Sequence, residues 1–261
     1  IPYSFTGHAH DIWHDKLLLP EKLEEAIFII CCSEFGRQYL LKQSKRDVSN
    51  KVHLIYHGVD SRIFIPPMND ARRIRNFILS IGRLTEQKGY PDLIKACKIL
   101  HDRNINITCN IVGEGEQRSL LEQLIKDYKL EDQVKLLGAI KQENIMEYYH
   151  NAWIFVLPCI DTHEGNRDGL PNVLMEAMAT GLPVITTANS AQSELITHEK
   201  QGLLVAQSSP LEIAKAIEKL IIDHNLWGEI QFHARQRMEN YFDCRKTIEP
   251  LLDLLENCRD R

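Results

Sequence analysis

The chain has 261 residues, 44% of them apolar and 26% charged, with 31 basic and 36 acidic side chains and a net charge of −5. These globular proportions exclude wholesale disorder, collagen and coiled coil, and no apolar run reaches the roughly 20 residues of a membrane span. Seven cysteines without a C-x-x-C pair exclude a disulfide scaffold, a zinc ribbon and a thioredoxin motif, and point to reduced, mostly buried thiols in a cytosolic protein.

The first residue is Ile1 rather than Met and no signal peptide follows, which reads as a piece of a longer chain. Near-continuous apolar runs at 26–30, 52–56, 77–81, 107–112, 134–137, 154–157 and 183–187 predict parallel strands buried on both faces. Between them, 90–101 and 117–128 carry apolar residues at three- and four-residue spacing, and the C-terminal third predicts helices at 211–222, 226–241 and 247–258. Alternating strands and helices predict an α/β fold with a doubly wound parallel sheet and right-handed crossovers. The boundary falls in 57–70, where Gly58, Pro66 and Pro67 interrupt every period.

Residues 1–56 offer one or two strands and a helix, too little to bury a core alone. The expected division is 1–60 as the tail of a truncated N-terminal domain, 61–241 as a complete Rossmann-like domain, and 242–261 as a C-terminal helix crossing back. Residues 37–75 hold nine basic and three acidic side chains, a local charge of +6 against −11 elsewhere. A solvated face is the plain reading; contact with an anionic surface such as a membrane is the sharper one.

Ligands of open parallel sheets bind beyond the carboxyl ends of the strands. After 77–81, Gly82 permits close backbone approach, and Arg83 and Lys88 place two cations that suit a diphosphate as well as they suit solvent. After 107–112, Gly113-Glu114-Gly115 begins like a dinucleotide fingerprint. Arg118 stands where its third glycine belongs and glutamates sit where a pyrophosphate would approach, so a tight turn is the better reading.

After 154–157, polar residues and glycines crowd the strand end before a helix. Pro171 suits its first position, and the free amides of Asn172 and Val173 form an anion site with the helix dipole. Glu176, five residues beyond Pro171, lies about 7.5 Å along the axis, a depth at which a carboxylate can accept bonds from a pair of sugar hydroxyls. Asp168 sits at the helix mouth and can meet a second sugar. Taken alone, Glu176 reads as an ordinary exposed helix glutamate. His163 and Glu164 lack a third ligand at metal spacing and no D-x-D occurs, so no metal is expected. The G-x-S-x-G elbow and the phosphate-binding P-loop are also missing.

Four motifs in order resemble the retaining glycosyltransferases of family 4, which have the GT-B fold. They are Tyr56-His57-Gly58-Val59-Asp60 with Phe64; Gly82-Arg83-Leu84 to Lys88-Gly89; Val112-Gly113-Glu114-Gly115; and Asp168-Gly169-Leu170-Pro171-Asn172-Val173-Leu174-Met175-Glu176-Ala177-Met178-Ala179-Thr180-Gly181. The opening Phe5-Thr6-Gly7-His8 is similar to the family's histidine segment, and the insertion at 161–167 is most similar to builders of bacterial exopolysaccharide and lipopolysaccharide.

The resemblance implies a metal-independent, cofactor-free transfer of a hexose-type sugar, with retention, from a UDP- or GDP-linked donor to a glycan or lipid-linked acceptor. It implies diphosphate binding by Arg83, Lys88, Asn172 and Val173, and ribose binding by Glu176, the second acid of the family's E-x7-E motif. Asp168 stands in place of the first glutamate, with Glu164, Gly169 and Leu170 nearby on the transferred sugar. His8 would face that sugar from the opposite domain, and Gly138 and Ile140 would lie beside the base. A cytoplasmic location, at the inner membrane face on the sharper reading of the basic stretch, follows, with no nucleic-acid partner. A non-catalytic nucleotide-sugar-binding module and a GT-B sugar-nucleotide epimerase are the alternatives, and the chain alone is expected to transfer weakly or not at all.

Overall fold

The computed structural model describes residues 2–8, 12, 18–162, 167–189 and 191–259. Two parallel sheets are present. The first comprises β1 (Phe5–Gly7), β2 (Ile29–Cys31) and β3 (Val52–Leu54) in that order, with helices α1 (Leu19–Glu25) and α2 (Glu34–Gln43). The N-terminal stretch therefore holds three strands and two helices among the described residues, more than the sequence suggested. The runs 26–30 and 52–56 gave β2 and β3, whereas β1, Phe5-Thr6-Gly7, has one large apolar residue and no run to read. Leu23, Ile29, Cys31, Leu40 and Val52 form a small apolar cluster of their own there.

The second sheet has six parallel strands: β4 (Phe77–Ile81), β5 (Thr108–Val112), β6 (Val134–Gly138), β7 (Ile154–Leu157), β8 (Val184–Thr187) and β9 (Leu203–Val205). Their spatial order is β6-β5-β4-β7-β8-β9. This is the Rossmann arrangement, in which the winding direction reverses between the first and fourth strands. Here those strands are β4 and β7.

Alternation along the strands explains why whole runs are apolar. Ile78, Ile154 and Val156 face one cluster, which helices α3 (Tyr90–Asp102), α4 (Arg118–Asp127) and α8 (Pro210–Ile222) cover. Phe77, Leu79, Ile81, Phe155 and Leu157 face the other, closed by α5 (Gln142–Asn151), α6 (Asn172–Ala179) and α7 (Gln192–Leu195). The central strands are buried on both faces, so their positions are mostly apolar, and the exceptions Ser80 and Thr186 donate their hydroxyls to the Val156 and Leu157 carbonyls. The long α9 (His224–Tyr241) serves both clusters, Trp227 and Ile230 in one and Ala234 and Met238 in the other.

Helix ends follow local chemistry. The α9 helix starts two residues before the apolar period because the Asp223 carboxylate accepts the Leu226 N–H at 3.0 Å. The helix expected at 247–258 is α11 (Glu249–Arg259), and a separate short helix, α10 (Cys244–Thr247), precedes it. Pro250 explains the break, since it lacks an N–H and is tolerated only in a helix's first turn. Ile248, Leu252 and Leu255 on this segment are exposed. No helix among the described residues is long and apolar enough to cross a membrane.

The basic stretch is not one solvated face. Arg73 is only 5% exposed, and its guanidinium donates to the carbonyls of Tyr149, Ala152, Thr180 and Gly181. Burial depresses its pKa, yet an arginine remains charged at any ordinary pH. The residue joins the ends of α5 and α6, and its ring contact with Trp227 reaches α9. Arg62 pairs with Asp60 at the surface.

Candidate functional site

Three loops meet at the carboxyl ends of β4, β5 and β7. Gly113 has φ +144°, and a Cβ there would lie 1.9 Å from the Gly82 carbonyl oxygen. A Cβ on Gly115 would lie 2.5 Å from the Leu84 carbonyl oxygen. The Glu114 carbonyl accepts the Leu84 N–H at 2.9 Å and the Leu84 carbonyl accepts the Gln117 N–H at 3.0 Å. The Gly113-Glu114-Gly115 turn is thus a close seat for the Gly82–Leu84 loop. Gly89, at φ +67°, approaches the β7 loop in the same way: its Cβ would lie 2.0 Å from the Pro158 carbonyl oxygen.

These seats fix two cations. Arg83 is exposed, and no carboxylate pairs with it among the described residues. Lys88 is buried along its stem, and its ammonium donates to Asp168 Oδ2 at 2.7 Å. The Cys159 thiol also donates to that oxygen, at 3.0 Å. Burial, then the Asp168 charge, pushes the Cys159 thiol pKa up, so it stays protonated and harmless as a nucleophile.

Pro171 takes the cap position of α6 rather than its first helical position, and the helix begins at Asn172. Its carbonyl accepts the Leu174 and Met175 amides. The Asn172 and Val173 amides precede that ladder and are the ones left over at the helix's positive end. His57 Nε2 lies 3.0 Å from the Leu170 carbonyl oxygen and so holds the loop just before the cap. Burial lowers the His57 pKa, which fits a neutral ring donating from Nε2.

Glu176, on the second turn of α6, is half-buried rather than an ordinary exposed glutamate. It lines a cleft of about 290 Å³ with Phe64, Gly82, Val112, Gly113 and Ile140. Burial raises its carboxyl pKa, and a hydrogen bond from the Tyr149 hydroxyl at 2.8 Å opposes that rise. Gly138 ends β6 at φ +76° and its carbonyl accepts the Gly113 N–H. Asp168 and Gly169 border a narrow gap facing Cys32, Ser33 and Phe35 of the first sheet's unit. His8 follows β1, with Nδ1 3.8 Å from Cys32 Sγ, and shares a cavity with His57. Glu164 and His163 lie outside the described residues.

The structure therefore brings Lys88 to Asp168, and Glu176 to the wall that Gly82, Gly113 and Ile140 share. Sequence reasoning missed Tyr149 and Cys159. An apolar-face tyrosine 27 residues before its partner, and a cysteine at a strand end, carry no pattern that announces them. No group of three His, Cys, Asp or Glu among the described residues could hold a metal ion.

The chain is 34% identical over 208 residues to the amylovoran biosynthesis glycosyltransferase AmsK of Erwinia amylovora, covering 80% of this chain and 51% of that protein. It is 31% identical over 207 residues to the putative colanic acid biosynthesis glycosyltransferase WcaL of Escherichia coli, covering 79% and 51%. The chain thus spans about half the length of the curated relatives it matches. Among solved structures, Anabaena HepE in complex with UDP and glucose superposes with a TM-score of 0.82 at 21% identity, over 98% of this chain and 71% of that one. Sucrose-phosphate synthase of Thermosynechococcus elongatus superposes at 0.83 with 24% identity, over 100% and 68%. The fold is that of the GT-B glycosyltransferases. Residues 62–241, more than half of the chain, match the family of glycosyl transferases group 1, and the chain belongs to that family.

Proposed function

We propose that this chain binds the nucleoside diphosphate of a UDP- or GDP-linked sugar in the cleft beside Glu176. Within the whole protein it would serve transfer of a hexose-type sugar to a glycan or lipid-linked acceptor. The observation that carries the reading is the position of Glu176. A half-buried carboxylate on α6 opens on a cleft walled by glycine backbone, at the end of the sheet where Arg83, Lys88 and the first amides of α6 supply positive charge. A carboxylate is suited to the ribose hydroxyls, and the cations and amides to the diphosphate. The names of the polysaccharide-building relatives and the UDP and glucose in HepE support the same reading.

The chemistry we infer is electrostatic. As the bond between the sugar and the diphosphate breaks, charge builds on the departing phosphate, and Arg83, Lys88 and the α6 amides stabilise it without a metal. Attack by the acceptor hydroxyl from the leaving-group side, with its proton passing to the departing diphosphate oxygen, gives retention. Asp168 and Gly169 would border the transferred sugar, with His8 facing it. Because the chain spans about half of its relatives, we expect it to bind donor nucleotide and to transfer weakly or not at all by itself.

Calorimetric titration with UDP and GDP tests this. One of them should bind with a Kd well below millimolar, and Arg83→Ala and Glu176→Ala should each weaken binding. Absence of binding to both nucleotides would overturn the reading. Unchanged affinity in both variants would move the site elsewhere. Conversion of donor to an epimer without acceptor would favour an epimerase.

A further inference from the structure

We infer that Tyr149 is a positioning residue for ribose recognition, acting through Glu176. This assignment rests on the donor-site reading above. Tyr149 is fully buried on α5, its ring fixed edge-on by Phe64 at 6.2 Å and tilted against Phe155 at 6.1 Å. A ring held on two sides gives its hydroxyl little freedom, and that hydroxyl donates to Glu176 Oε2 at 2.8 Å. The bond immobilises one carboxylate oxygen. No described group donates to Oε1, and that atom is not sealed from solvent. The glutamate is therefore presented to the cleft with one oxygen anchored and the other open, as recognition of a sugar hydroxyl requires.

The geometry has an electrostatic counterpart. A carboxylate withdrawn from water tends to take up a proton, and a protonated carboxyl accepts sugar hydroxyls poorly. Donation from Tyr149 favours the ionised form, opposing the effect of burial. The same hydroxyl thus sets both the orientation and the charge of Glu176. Phe64 lines the cleft as well as the Tyr149 ring, so the wall of the site and the anchor of its carboxylate are one packed unit.

The test compares wild type, Tyr149→Phe, Glu176→Ala and the double variant in calorimetric titrations with UDP, GDP and their 2′,3′-dideoxy analogues. Wild type should prefer the ribonucleotide that it binds over the dideoxy form. Tyr149→Phe keeps the ring packing and should narrow that preference about tenfold, the size of one hydrogen bond to a charged acceptor, while dideoxy affinity stays within about twofold. Adding Tyr149→Phe to Glu176→Ala should cost no further ribonucleotide preference, since the path runs through the Glu176 carboxylate. The fall in ribonucleotide affinity with acid should begin at higher pH in Tyr149→Phe than in wild type. Equal loss for both sugar forms would make Tyr149 a packing residue and overturn the assignment, as would an unmoved preference. Failure of wild type to bind either nucleotide would instead overturn the donor-site reading, and this assignment with it.

Discussion

Lys88 Nζ and Asp168 Oδ2 meet at 2.7 Å, tying the loop after β4 to the loop after β7 across the point where the sheet reverses its winding. Their side chains are 11% and 17% exposed. The contact has two opposite consequences for an incoming diphosphate. Asp168 holds the ammonium in place, but it also neutralises it and repels a phosphate. The lysine stem is buried independently of the pair, lying over Gly82, so repulsion outweighs anchoring. Asp168→Asn is expected to raise nucleotide affinity at least about threefold, the Coulomb effect of one charge at ~6 Å even with water-like screening. Lys88→Ala is expected to lower it. Titration of both variants with UDP and GDP decides the matter, and a fall for Asp168→Asn would show that anchoring dominates.

The glycine seats predict substitutions of opposite sign. Gly113→Ala places a methyl 1.9 Å from the Gly82 carbonyl oxygen at φ +144°, so it meets both a steric clash with backbone and an unfavourable conformation. The expected cost is about 3 kcal/mol or more, with a fall in Tm of roughly 6 °C or more for a domain of this size. Gly228 lies inside α9, and an added Cβ meets nothing within 4 Å. Gly228→Ala should therefore stabilise by roughly 0.5–1 kcal/mol through helix propensity. Thermal unfolding of the two variants side by side checks both directions.

The legibility of these features in the sequence depended on how local their causes are. Strands 77–81 and 154–157 coincide with β4 and β7 because both faces of each strand are buried, which keeps the runs apolar except for the small Ser80. Phe5–Gly7 escaped because Phe5 is its one large apolar residue, and Leu203–Val205 because its run of apolar residues is short and ends in a loop. Glu176 was singled out by its place in the Asp168–Gly181 motif, whose residues lie in one loop and one helix, although taken alone it read as an exposed glutamate. Its partner Tyr149 could not be, because their meeting depends on α5 packing against α6. Arg73 was counted as one charge in a basic stretch. Only the fold shows that four carbonyls at the ends of two helices converge on it.

Arg73 makes a conservative substitution costly. Its planar guanidinium forks to four carbonyl oxygens, a pattern that one ammonium on a flexible stem cannot reproduce. Arg73→Lys should leave buried carbonyls without donors and lower stability by about 3 kcal/mol. Chemical denaturation should show a lower midpoint with an unchanged slope. A midpoint within error of wild type would show that water replaces the missing donors.

Asp243 sets an acid dependence for the junction between α9 and the segment before β4. Its carboxylate accepts from Arg245 at 2.7 and 2.8 Å and from the Ser61 hydroxyl, and Val59 pairs with the Asp243 backbone. Arg245, first, holds its pKa well below the ordinary carboxylate range, and the Ser61 hydroxyl adds to this against the effect of burial. The charged groups around it are Arg245, Asp60 and Arg62. A group with a depressed folded pKa contributes stability that is fully present above its unfolded pKa of about 3.9. That contribution is lost as pH falls toward the folded value. Asp243→Asn should therefore be less stable than wild type at neutral pH, and the gap should narrow as pH drops below about 4. Denaturation midpoints measured from neutral to strongly acid pH would follow the narrowing. A gap that stays constant with pH would show that the arginine contact does not bias the ionisation of Asp243.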